Sequence, residues 1–262
     1  MFFLIVKLSL MCIAICLFLS GCGTPKPSVI SPAPISQSVS SVVQAAIGKQ
    51  MDSALDERVI NHVTMTKKQV ALTFDDGPDD KYTLKILDIL KANGIKATFF
   101  VVGEHAAKYP AVLRRIVQEG HVVGNHSWDH PDLLKLSNEL IRNEITKTDD
   151  VIRNISGASP TLFRAPYGAV NNDVRIDAAS TGHHLIGWSV DTLDWKGKST
   201  AEIINAVKKE VTPGAIILQH SAGGKGGNLT NTIQALPQII SYLKQNNYSF
   251  VTVPELLSAE TH

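Results

Sequence analysis

Two clusters of side chains in the sequence have the makings of a metal centre. The first is Thr73-Phe74-Asp75-Asp76-Gly77-Pro78, with adjacent carboxylates at the end of an apolar run. Carboxylates beside an apolar strand are costly to place unless a partner uses them. Neighbouring side chains at a strand end point different ways, so one Asp can bind a cation while the other faces a substrate. The second is His126-Ser127-Trp128-Asp129-His130. Histidines four apart lie on one side of a helical turn and can close on one ion. Pro131 disfavours helix at His130, so the segment reads as a single turn or a loop. Asp76, His126 and His130 together make three N and O ligands. Three protein ligands with a fourth position open to water is the pattern of a catalytic zinc site rather than a structural one. Read alone, the first cluster reads as a solvated turn and the second as an ordinary histidine pair.

Three more clusters carry polar chemistry. Arg164-Ala165-Pro166-Tyr167-Gly168 offers a guanidinium that can hold a carboxylate ionised and fix its direction. Its Pro and Gly impose a backbone path that can present an amide N–H to a reacting oxygen. Asp191-Thr192-Leu193-Asp194-Trp195 and Leu218-Gln219-His220 complete the set. A His at a strand end, paired with an Asp elsewhere, is the usual design of a tuned general acid. Taken singly, these read as a turn Arg, a capping Asp pair and a satisfied edge histidine.

The elements that must position these groups are legible from residue 69 onward. β-rich runs fall at residues 70–74, 97–102, 121–123, 162–164, 185–190, 215–219 and 249–253, and amphipathic segments lie between them. Leu84, Leu87 and Leu90 share one helical face, which Gly94 ends. Pro110 opens the next helix and Gly120 closes it. Ile141, Ile145 and Ile152 mark a longer one. Ser199 with Glu202 forms a capping box ahead of Ile203 and Val207. Seven strand–helix alternations predict an α/β fold with a parallel sheet, and spacing alone does not separate an open sheet from a barrel. In either case the five polar clusters sit at strand ends, which converge on one face.

The chain has 262 residues, 44 % hydrophobic and 19 % charged, with a net charge of +1. That composition suits a packed core and supplies no strong field for nucleic acid or another polyanion. A lone Lys7 precedes an apolar run at residues 8–19, too short to span a bilayer comfortably. Leu19-Ser20-Gly21-Cys22 follows it and resembles the lipobox of bacterial lipoproteins. The expectation is a signal peptide over residues 1–21, a lipidated Cys22 that anchors the chain to the cell membrane on its extracytoplasmic side, and a flexible Ser- and Pro-rich tether. Residues 22–68 then hold tether and lead-in, with a short helix possible over residues 51–68, and the domain occupies 69–262. Cys12 and Cys16 fall in the removed segment, so the mature fold has no internal disulfide and no cysteine metal ligands. Gly223-Gly224-Lys225-Gly226-Gly227 lacks the spacing of a phosphate loop and reads as a flexible surface loop.

In this order, the five clusters resemble the motifs of the polysaccharide deacetylase family, the NodB-homology domain of carbohydrate esterase family 4. The match runs from about residue 69 to 257, and residues 96–103, Lys-Ala-Thr-Phe-Phe-Val-Val-Gly, resemble the family's second core strand. The resemblance implies a distorted (β/α) barrel with fewer strands than a regular eightfold one. It implies Asp75 as catalytic base, Asp76, His126 and His130 as metal ligands, and Arg164 as the residue orienting the base. Tyr167 matches the oxyanion-hole N–H, Asp191 the partner of the catalytic acid, and His220 the acid. Trp195 and Leu218 match the wall of the pocket for the acetyl methyl. Pro166 matches a proline hydroxylated at Cα in some members. The implied cofactor is Zn²⁺, with Co²⁺ or Ni²⁺ as substitutes. The implied reaction removes N-acetyl groups from N-acetylglucosamine polymers, peptidoglycan or chitin-like, and releases acetate. An O-acetyl xylan esterase and a non-catalytic glycan-binding lipoprotein are the other readings of the same scaffold. No protein partner is implied.

Overall fold

The computed structural model describes residues 58–223 and 227–259. Residues 1–57 lie outside them, and with them the expected signal peptide, Cys22 and the tether; so does most of the Gly223–Gly227 loop. Among the described residues, nine strands form one sheet: β1 (Val59–Ile60), β2 (Gln69–Asp75), β3 (Thr98–Val101), β4 (Val122–Asn125), β5 (Leu162–Phe163), β6 (His184–Ile186), β7 (Val190–Asp191), β8 (Ala215–His220) and β9 (Ser249–Phe250). Their spatial order is β1-β6-β5-β4-β3-β2-β8-β7, with β9 added on β2, and every pairing is parallel. Beyond β1 the chain reaches across to β8. His62 bridges Ala215, and the Val63 N–H donates to the Gly214 carbonyl at 3.0 Å. That crossing draws the far ends of the strand order together, so the sheet curls into the expected distorted barrel.

Parallel strands are buried on both faces, and alternation along each strand assigns the faces. Val70, Leu72 and Phe74 of β2 pack outward with Phe99, Val101, Ala215 and Ile217. Against them lie α1 (Tyr82–Asn93), α3 (Pro110–Gln118), α6 (Thr200–Glu210) and α7 (Thr230–Gln245). Ala71, Phe100 and Ile216 face the interior, where Val253 and Leu256 of α8 (Val253–Ser258) pack beneath them. By the same alternation Thr73, Asp75, Leu218 and His220 face inward above that floor. The inward face of β2 therefore grows more polar toward its C-terminal end. Among the described residues, the remaining α-helices are α2 (Gly103–Lys108), α4 (Asn138–Ser156) and α5 (Asn172–Ser180). Ile141, Ile145, Val174 and Ala178 of the last two bury against Phe163 and Leu185. Among the described residues, no helix is long and apolar enough to cross a membrane.

Punctuation behaves as its chemistry dictates. Gly94 caps α1 in the left-handed conformation, Pro110 starts α3, and Ser199 with Glu202 closes a reciprocal capping box on α6. Two segments differ from expectation. The described part of the lead-in, residues 58–68, holds no helix: it carries β1 and a bridge at His62, and Val63 is fully buried. The run at 185–190 is broken into β6 and β7. Its carbonyls at Ile186 and Gly187 accept from the Arg164 side chain, at 3.3 and 2.8 Å, so they are not spent on a neighbouring strand.

Candidate active site

All five polar clusters lie at C-terminal strand ends. Asp75 closes β2, with Asp76 beyond it at φ 70°. Parallel register sets Asp75 beside His220 at the end of β8, and Ser221 N–H donates to the Asp75 carbonyl at 2.8 Å. The two segments approach closely here: a side chain at Gly77 would lie 2.4 Å from Ser221 Oγ, so Ser221 would have to shift to admit one. His126 follows β4, Arg164 follows β5, and Asp191 ends β7.

Arg164 is 1 % exposed, and each of its three guanidinium nitrogens donates a hydrogen bond. Nη1 donates to Asp75 Oδ1 at 2.7 Å and to Thr73 Oγ1 at 2.9 Å, while the guanidinium carbon lies 4.1 Å from the centroid of the Phe100 ring. Thr73 Oγ1 in turn donates to the Ile217 carbonyl at 2.8 Å. One oxygen of Asp75 is thus locked by a charge-assisted bond. The other, Oδ2, faces His126 Nε2 at 3.7 Å.

Asp76, His126 and His130 each turn one ligand atom toward a common point, and these atoms lie within 4.8 Å of one another. Asp76 Oδ1 stands 3.5 Å from His126 Nε2 and 3.4 Å from His130 Nε2. These separations are long for strong hydrogen bonds, and Asp76 Oδ1 is a buried oxygen with no hydrogen-bond partner. An orphaned buried acceptor facing two imidazoles is what a cation would satisfy. His126 supports the same reading. Its Nδ1 donates to the Arg164 carbonyl at 2.7 Å, which leaves Nε2 as the free ligand nitrogen. Burial alone would raise the Asp76 pKa, but His126, His220 and His130 pull it down to about 2. Burial and the neighbouring His126 lower the pKa of His130, favouring the neutral imidazole that a metal requires. The residues present therefore fit a divalent ion. The segment carrying the two histidines is a loop and not a helical turn, with Ser127 at φ 67° and His130 at φ 62°.

The acid site corrects one expectation. The partner of His220 is Asp194, not Asp191. His220 Nδ1 donates to Asp194 Oδ1 at 2.7 Å, and Asp194 Oδ2 accepts from His220 N–H and Thr232 Oγ1, both at 3.0 Å. Asp191 instead accepts from Leu193 N–H at 2.9 Å. That bond folds the turn, with Leu193 at φ 52°, and the turn carries Asp194 to the imidazole. Burial opposes the charged form of His220, yet Asp194, with Asp76 and Asp75 adding, holds its pKa up to about 9. Activity that needs protonated His220 is present below that pKa and lost as pH rises through it. A cation beside Asp76 offsets part of this and moves the limb lower. Asp194→Asn is expected to shift the alkaline limb of kcat/KM further toward acid, while Asp191→Asn leaves it in place. Equal limbs in the two variants would return the role to Asp191.

Tyr167 lies in a tight turn at φ 61° and is 69 % exposed, with its ring centroid 4.6 Å from that of His130. Trp195 is exposed beside Asp194, and Leu218 is buried two residues before His220. Sequence reasoning quoted Thr73 in the first cluster without giving it a role, and missed Thr232 and Trp188. Trp188 packs so closely on Gly168 that a side chain there would meet its ring at 2.6 Å. A two-residue offset from a recognised strand could have found Thr73; nothing local marks the others.

The sequence profile of the polysaccharide deacetylase family matches residues 62–186. A peptidoglycan-N-acetylglucosamine deacetylase of Bacillus cereus is 45 % identical over 190 residues, covering 72 % of this chain and 68 % of the relative. The peptidoglycan-N-acetylglucosamine deacetylase PgdA of Listeria monocytogenes is 42 % identical over 191 residues, and the chain spans only 39 % of its length. The crystal structure of the Bc1960 peptidoglycan N-acetylglucosamine deacetylase superposes with a TM-score of 0.73 at 43 % identity, covering 76 % of this chain and 92 % of that one. Site geometry, fold and relatives agree: the chain belongs to the polysaccharide deacetylase family, carbohydrate esterase family 4.

Proposed function

We propose that this chain is a metal-dependent N-deacetylase of N-acetylglucosamine units in peptidoglycan. The observation that carries the reading is the juxtaposition of three groups at one end of the barrel: the locked Asp75–Arg164 pair, the Asp76–His126–His130 triad and the His220–Asp194 pair. The names of the Bacillus cereus and Listeria monocytogenes relatives support peptidoglycan as the glycan.

A divalent ion held by Asp76, His126 and His130, Zn²⁺ by the character of the ligands, would supply Lewis acidity, lowering the pKa of water and polarising the acetyl carbonyl. Asp75, with Oδ1 held by Arg164, takes the proton of the attacking water on Oδ2. The water oxygen bonds to the acetyl carbon, and the backbone N–H of Tyr167 donates to the developing oxyanion. His220, its Nδ1 tied to Asp194, gives its Nε2 proton to the amide nitrogen as the C–N bond breaks. Acetate and a free sugar amine leave. Trp195 and Leu218 wall the methyl of the acetyl group.

Acetate release from peptidoglycan, chitooligomers and acetylxylan tests the reading. The expected result is release from peptidoglycan, abolished by a chelator and restored by Zn²⁺. A metal-loaded protein that releases no acetate from any of the three would overturn it. Cys22 of the Leu19-Ser20-Gly21-Cys22 segment is proposed as the lipid anchor that places the domain outside the cytoplasm; a mature N-terminus without a diacylglycerol mass would refute that.

A further inference from the structure

The loop bearing His126 and His130 cannot hold its own shape. Two of its non-glycine residues sit in the left-handed region, each at a cost of roughly 1–2 kcal/mol, and no helix pairs its amides. Instead, four consecutive backbone N–H groups are each accepted by a side-chain oxygen. Ser127 N–H donates to Asn125 Oδ1 at 2.8 Å. Trp128 and Asp129 N–H both donate to Glu144 Oε2, at 2.8 and 3.3 Å. His130 N–H donates to Ser127 Oγ at 3.1 Å. The carbonyls of Ser127 and Trp128 accept from the first amides of α2, Gly103 and Glu104, at 3.0 and 2.9 Å. A side chain at Gly103 would meet the Trp128 ring at 2.5 Å and Thr148 Oγ1 at 2.6 Å, so the loop is wedged between α2 and α4.

Glu144 is the one charged acceptor in this set, and it stands fourteen residues beyond the nearer ligand, on α4. The same helix braces the other side of the loop: Asn125 Nδ2 donates to Asp149 Oδ1 at 2.7 Å and to the Ile145 carbonyl at 2.8 Å. We infer that Glu144 is a positioning residue of the metal centre, setting the backbone between His126 and His130 so that both imidazoles meet Asp76. This deepens the functional reading above and rests on its metal site.

Full-length protein, stripped of metal, is titrated with Zn²⁺ against a competing chelator. Glu144→Ala is expected to weaken Zn²⁺ affinity about 10–100-fold, the usual effect of losing a group that orients a ligand. Glu144→Gln, which keeps one oxygen in reach of both amides, is expected to stay within about threefold of wild type by the same reasoning. Glu144→Asp, one methylene too short, falls between the two and serves if the alanine variant does not fold. Ile152→Val trims a buried side chain of the same helix away from the loop; it lowers thermal stability and leaves affinity unchanged. Wild-type affinity in both Glu144→Ala and Glu144→Asp, or an equal loss in Ile152→Val, overturns the role of Glu144 while the metal site stands. A wild-type protein that binds no Zn²⁺ overturns both.

Discussion

Asp75→Asn is expected to lower kcat by about 10²–10⁴-fold, the range supplied by a positioned general base, and to leave Zn²⁺ affinity near wild type. The reason is a division of labour between neighbouring carboxylates. Asp76 Oδ1 faces His126 and His130, whereas Asp75 Oδ1 is bound to Arg164 Nη1 at 2.7 Å and only Oδ2 looks into the site. Asparagine keeps the shape and can still accept from Arg164 with its carbonyl oxygen, but it cannot take a proton from water. Single-turnover acetate release and metal titration on the same preparation separate the two effects. A variant turning over at the wild-type rate would remove Asp75 from the mechanism.

Arg164→Met is expected to cost both activity and about 3–5 kcal/mol of stability, because removing one member of a buried ion pair leaves the other charge uncompensated. Asp75 is 3 % exposed, and the carbonyls of Ile186 and Gly187 lose their donor with the guanidinium. Methionine fills much of the volume, so the loss reports on charge and hydrogen bonding more than on a cavity. The double variant Asp75→Leu/Arg164→Met removes both charges and is expected to recover much of the stability and none of the activity. Urea unfolding of the two variants is the measurement. A single variant as stable as wild type would mean that the pair contributes nothing to the fold.

Both substitutions fall on residues that the linear sequence marks by position. Asp75, Asp76, His126, Arg164 and His220 each stand at or within a few residues of the end of a β-rich run, and His130 follows His126 on the same loop. In a parallel α/β sheet those ends must share one edge, so linear order alone assembles most of the site. The strand runs themselves are legible because both faces are buried, which leaves unbroken apolar stretches such as Val70, Ala71 and Leu72.

What only the tertiary structure decided lies where two candidates are nearly equivalent locally, or where the partner is remote. Asp191 and Asp194 share a five-residue segment, and no property of their neighbours ranks them. The choice was made by a turn, through the bond from Leu193 N–H to Asp191 and the left-handed Leu193, which put the second carboxylate against His220. β1 is two residues long, too short to carry a period, and exists because β6 supplies its partner while His62 just beyond it bridges to β8. Glu144 looks like any surface glutamate on an amphipathic helix; its work depends on α4 lying against a loop whose Trp128 and Asp129 amides both donate to it. Periodicity and strand ends are properties of a chain, whereas a hydrogen-bond partner is a property of a packed fold.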